Sequence, residues 1–81
     1  MSVLLRMHLH RTEGALLRCL GVIERRGFVL QSMHCIPAAH NTAVWELTVE
    51  LTGERSVETL CHQLNKLWDV DQTLVLNKST V

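Results

Sequence analysis

The sequence predicts an α+β domain of element order β-α-β-β-α-β, the ferredoxin-like arrangement of an antiparallel sheet with two helices on one face. Three features predict it. The segment EGALLRCLGVIERRGFVLQSMHCIPA, Glu13 to Ala38, reads as a helix, a glycine stop and a strand returning along the helix. The stretches Val3–His10 and Ala43–Thr52 alternate apolar and polar residues, as half-buried strands do. After Ser56, apolar residues recur at helical spacing.

The first strand, 3–10, directs Val3, Leu5, Met7 and Leu9 to one face and Leu4, Arg6, His8 and His10 to the other. Arg11, Thr12, Glu13 and Gly14 turn the chain into a helix at 13–26, with Thr12 the expected N-cap and Leu16, Leu20 and Ile23 the expected apolar face. Arg25 and Arg26 suit the negative end of the helix dipole, and Gly27 can take the left-handed C′ conformation. A strand at 28–36 follows, and the segment Pro37–Thr42, with the only proline, reads as a hairpin connection. The strand at 43–52 sets Trp45, Leu47, Val49 and Leu51 against Glu46, Thr48 and Glu50, which places Trp45 in the core. Gly53–Glu54–Arg55 turns the chain again. Ser56 caps a helix at 56–67 whose stripe is Val57, Leu60, Leu64 and Leu67, and Trp68–Asp69 ends it. In the last strand, 70–77, Val70, Leu74 and Leu76 compete with Val75 for the inward face. Residues 1–81 thus read as a single domain without linker or low-complexity stretch.

Composition narrows the function classes. A domain of this size buries only about 60% of its unfolded-chain surface, so dimerisation or a partner is a natural source of stability. Eight Lys and Arg balance eight Asp and Glu, which is not the footprint of a nucleic-acid or anionic-membrane binder. No apolar run reaches the roughly 18 residues of a spanning helix, and the N-terminus lacks the pattern of a signal peptide. Cys19, Cys35 and Cys61 are scattered and odd in number, which fits inert thiols in a reduced, cytoplasmic protein.

The candidate chemistries are few. His8-x-His10, His34–Cys35 and His40 could serve a metal, but the spacing is not that of a closed site and solvent-facing histidines are the better reading. RNA-binding domains of this element order stack bases on sheet aromatics, whereas the aromatics here are only Phe28, Trp45 and Trp68. Arg11 and Asn41 superficially match the catalytic pair of small acylphosphatases, without the glycine-rich phosphate loop. No nucleophile–base pair emerges, so no catalytic residues are expected. The turn between first strand and first helix remains. Backbone N–H groups at a helix start bind carboxylates, and Gly14 either lets a small amino acid approach or only relieves crowding in a tight turn.

The segments RRGFVLQSM (Arg25 to Met33), ELTVE (Glu46 to Glu50), RSVETL (Arg55 to Leu60) and QLNKLWDV (Gln63 to Val70) resemble the small regulatory subunit of acetolactate synthase (acetohydroxyacid synthase), closest in type to that of isozyme II. The resemblance extends from about Leu5 to Leu76. It implies an ACT domain that pairs edge to edge into a dimer. It further implies a non-catalytic subunit that binds and activates a large subunit in branched-chain amino-acid biosynthesis, with feedback by valine in some members. Thiamine diphosphate, Mg²⁺ and FAD would belong to that large subunit, and no cofactor is expected in this chain. A free-standing ACT amino-acid-sensing domain serving another enzyme is the alternative. Valine-sensitive relatives carry an Asn-x-x-Gly-Ala-Leu-type first turn; its Gly and Ala fall on Gly14 and Ala15, while Arg11 replaces the Asn. The resemblance therefore marks Arg11, Thr12, Glu13, Gly14 and Ala15 as the expected effector-binding residues.

Overall fold

A computed structural model describes residues 1–79. The elements run β1 (Ser2–His10), α1 (Ala15–Arg25), β2 (Val29–Ala38), β3 (Asn41–Thr52), α2 (Val57–Asn65) and β4 (Val70–Ser79). The strands form one antiparallel sheet of order β2-β3-β1-β4, so β2 and β4 are its edges. This is the ferredoxin-like arrangement the sequence predicts.

Period-2 alternation decides the core. Val3, Leu5, Met7 and Leu9 of β1 and Leu47, Val49 and Leu51 of β3 are buried on the face that the helices cover. Val57, Leu60 and Leu64 of α2 close over them, while Leu67, the last residue of the expected stripe, lies beyond the end of α2 at Asn65 and is half-buried. Leu5, Leu9, Leu47, Leu51, Leu60 and Leu64 are completely excluded from solvent. Truncating one of them to Ala is expected to cost roughly 2–5 kcal/mol.

The first helix departs from its expected phase. Its sheet-facing residues are Ala15, Cys19, Val22 and Ile23, while Leu16 and Leu20 sit half-buried at its flank and Leu17 is exposed. Small residues on the facing line let the helix approach the sheet, and the leucines then spread sideways. Cys19 donates to Met7 Sδ at 3.3 Å inside the core, where burial pushes its thiol up to about 12. The helix ends in a Schellman motif: Gly27 has φ 86°, its N–H donates to Glu24 O at 3.0 Å, and Phe28 N–H donates to Ile23 O at 3.2 Å. Phe28, expected to open the second strand, is instead the buried apolar residue that follows this cap.

Both edge strands are more exposed than alternation suggests. In β2, an edge strand, Val29, Met33 and Ile36 face solvent, because no strand or helix among the described residues lies beyond them. In β4 the competition for the inward face is resolved by register shifts against β1, between Leu4 and Leu5 and between His8 and Leu9. Val70 is buried, whereas Leu74, Val75 and Leu76 are all 40–46% exposed. The β2–β3 hairpin is tighter than the expected Pro37–Thr42 connection, since Ala38 pairs with Asn41.

Candidate functional site

The end of β1 is held from both sides. Arg11 N–H donates to Ala43 O of β3 at 3.0 Å, and His10 N–H donates to Asp69 O, just before β4, at 2.7 Å. From this anchored end the chain turns through Thr12, Glu13 and Gly14 into α1.

The turn differs from expectation at its cap. The N-cap is Gly14, at φ 76° and ψ 1°, not Thr12, and the helix starts at Ala15. Thr12 keeps a backbone role, since its carbonyl accepts from Ala15 N–H at 3.1 Å, but its hydroxyl points elsewhere and donates to Asp69 Oδ1 at 2.6 Å. Glu13 lies outside the helix with an exposed side chain, and its carbonyl accepts Arg18 Nη2 at 2.9 Å. Two consequences follow for the helix start. No side chain caps it and its first turn carries no acid. The N–H groups of Leu16 and Leu17 find no protein acceptor among the described residues. Such free donors, at the positive end of the helix dipole, suit an anion.

Asp69 is the residue that sequence reasoning missed. Its side chain is completely buried, and it accepts from Thr12 Oγ1 on one oxygen and from Arg18 Nε at 3.0 Å on the other. The hydrogen bond from Arg18, then that from Thr12, hold its carboxyl below the ordinary carboxylate value, against the opposing effect of burial. Arg18 reaches this position by folding over Gly14, where a Cβ would lie only 2.8 Å from Arg18 Nη1. Gly14 is thus required twice, for its left-handed φ and for the guanidinium above it. Beside this network, His10 Nε2 lies 2.8 Å from Asp71 Oδ1.

Next to the uncapped helix start lies an open recess of about 350 Å³, lined by Thr12, Gly14, Ala15, Leu16, Leu17, Leu20 and Trp45. Its walls are mostly aliphatic. Trp45, expected in the core, is half-buried and forms one wall, and the Arg11 guanidinium sits 5.1 Å from its ring centroid. Arg11 also donates from Nη1 to Thr42 O at 3.1 Å, so it stands at the rim as a cation. The structure therefore gathers Thr12, Gly14 and Ala15 around one recess, with Arg11 at its edge and the Glu13 side chain outside.

The other candidate groups are placed differently. His8 and His40 approach edge to face at 5.1 Å between centroids, and among the described residues no three metal-ligating side chains converge. Asn41 Oδ1 accepts from Ala43 N–H at 2.9 Å, so both members of the acylphosphatase-like pair brace the β2–β3 hairpin.

Comparison with known proteins gives the class. Residues 11–73 match the ACT domain family, and the chain belongs to that family of regulatory domains. A search of curated proteins finds no match. The fold is similar to that of the acetolactate synthase small subunit from Thermotoga maritima, with a TM-score of 0.81 and 21% identity over 93% of this chain. This chain spans 47% of the Thermotoga subunit's length. It is also similar to the ACT domain of the GTP pyrophosphokinase from Chlorobium tepidum, with a TM-score of 0.75 and 15% identity, over 94% of this chain and 97% of that one. At these identities the two structures share the fold.

Proposed function

We propose that this chain is the non-catalytic, activating small subunit of an acetolactate synthase in the synthesis of valine, leucine and isoleucine, and that the start of α1 is its effector site. The observation that carries the effector reading is the juxtaposition of free Leu16 and Leu17 N–H donors with an aliphatic recess of about 350 Å³. A small branched amino acid has the matching chemistry: its carboxylate meets the N–H groups, and its side chain lies against Leu16, Leu20 and Trp45. Arg11 at the rim adds a second positive group where valine-sensitive relatives have a neutral amide.

The acetolactate synthase reading is supported by the RRGFVLQSM, RSVETL and QLNKLWDV segments and by the likeness to the Thermotoga subunit. In this reading the chain is cytoplasmic, pairs with a second copy through the exposed β2 edge, and docks on a large subunit that carries thiamine diphosphate, Mg²⁺ and FAD. Activation then means differential affinity for two states of that subunit, and effector binding shifts the balance between them. A second reading, a free-standing amino-acid sensor serving another enzyme, is favoured by the likeness to the pyrophosphokinase domain.

The test is acetolactate formation by a purified large subunit, with and without this chain, across a valine titration. Activation supports the subunit reading, and its reversal by valine supports the effector site. Absence of activation, with valine still binding the chain, leaves the sensor reading.

A further inference from the structure

At the far end of α1 the molecule carries a second, differently built cleft. It measures about 310 Å³ and is lined by Arg25, Arg26, Gly27, Arg55, Ser56, Thr59 and the buried Leu60. Three of the eight basic residues of a chain with zero net charge meet here. Of the other five basic side chains three are matched, with Arg6 3.1 Å from Glu46, Arg18 3.0 Å from Asp69 and Lys78 3.2 Å from Glu58, while Arg11 and Lys66 have no acid within ion-pair distance among the described residues. Arg25, Arg26 and Arg55 have no acid within ion-pair distance among the described residues. Nearby acids are turned away, since Glu54 faces the amino terminus of Met1 at 3.4 Å and Glu58 faces Lys78; Glu24 is the one adjacent carboxylate with no partner.

Gly27 makes room for Arg55, whereas Arg25 turns its guanidinium back toward Gly21, which does not line the cleft. A Cβ at Gly27 would lie 3.2 Å from Arg55 Cγ, and one at Gly21 would lie 3.1 Å from Arg25 Nη1. Arg55 therefore crosses the left-handed turn that ends α1, and Arg25 folds back along its own helix. The start of α2 is already capped, with Thr59 N–H donating to Ser56 Oγ at 3.2 Å, so side-chain donors for a ligand at this cleft come from Arg26 and Arg55. Like charges gathered without counter-charge repel, and a bound dianion relieves that repulsion. The planar guanidinium fork matches phosphate oxygens in pairs, and the cleft has the size of a small-molecule site.

We propose that this cleft binds a small anion bearing phosphate or diphosphate groups, as a site separate from the α1 start. Apart from helix α1 itself, the two share nothing: no residue lining this cleft lines the aliphatic recess.

The test is an amide chemical-shift titration of the chain with inorganic phosphate and pyrophosphate, against sodium chloride at equal ionic strength. Saturable shifts are expected at Gly27, Arg55, Ser56 and Thr59, stronger with pyrophosphate. The double variant Arg26→Gln, Arg55→Gln is expected to weaken pyrophosphate binding by about tenfold or more while leaving the remaining amide spectrum in place. Shifts reproduced by sodium chloride, or an affinity unchanged in the double variant, would overturn the proposal. Valine binding at Gly14–Leu17 is unaffected in either case, so this outcome is separate from that of the effector reading.

Discussion

Helices α1 and α2 cover the same sheet face, yet they begin in opposite ways. Helix α2 starts conventionally: Ser56, extended at φ −67° and ψ 121°, accepts from Thr59 N–H, and Glu58 adds an acid to the first turn. Helix α1 has neither device, and its N-cap is a left-handed glycine. A helix that needed only to be stable would be expected to use a Ser or Asp cap, which is worth about a few tenths of a kcal/mol more than a glycine cap. The α1 start gives up that contribution and keeps its donors open beside an apolar recess. What holds the turn in place is a remote residue, Asp69, acting through Thr12 and Arg18. The contrast is that α2 satisfies its own start, whereas α1 leaves two N–H donors beside the recess, the feature on which the proposed effector site rests.

That comparison can be broken at several points. The largest effect is expected from Asp69→Ala, which leaves the Thr12 hydroxyl and the Arg18 guanidinium without their shared acceptor and frees the turn. It should lower the melting temperature more than any other change in the turn. The same residue sets an acid response. Because the folded state depresses its pKa, its contribution is complete above the ordinary carboxylate value of 3.8 and is lost as pH falls through the lower folded value. Acid unfolding followed by circular dichroism should therefore become shallower in this region for Asp69→Asn.

Gly14→Val comes next. A side chain at φ 76° is strained and would meet Arg18 Nη1, so a loss of roughly 1–3 kcal/mol is expected in chemical denaturation. This substitution alters the turn itself and does not isolate ligand contact. Ser56→Ala is smaller, at about 1 kcal/mol, because it removes one cap from an otherwise intact helix. Gly14→Asn sharpens the contrast at a similar cost. Asn tolerates the left-handed region better than Val, but its Cβ still meets Arg18 Nη1, so a loss of about 1 kcal/mol is expected, while its side chain crowds the recess that Gly14 lines and lowers affinity for a carboxylate.

These same residues separate what could be read from sequence and what could not. Alternation in Val3–Leu9 and Leu47–Leu51 is a local, period-2 signal, and the structure buries those residues together. Ser56 and Gly27 carry their caps in their own chemistry, and both act where the sequence puts them. The phase of α1 was not legible, because Leu16, Leu17 and Leu20 are all apolar and only packing against the sheet decides which of the neighbouring lines faces inward. Asp69 was hidden for a different reason. Its partners Thr12 and Arg18 stand 57 and 51 positions away, and only the β1–β4 pairing brings them together. The β4 face escaped because register shifts break alternation without leaving a glycine or proline in β4 to mark them.

The most direct measurement is a titration of the chain with valine, read at the amides of Gly14 to Leu17 and by the fluorescence of Trp45 in a Trp68→Phe background. An open, ligand-accepting α1 start predicts saturable shifts centred on Leu16 and Leu17, a matching change at Trp45, and their loss in Gly14→Asn. A flat response at millimolar valine, or shifts that survive Gly14→Asn unchanged, would contradict it.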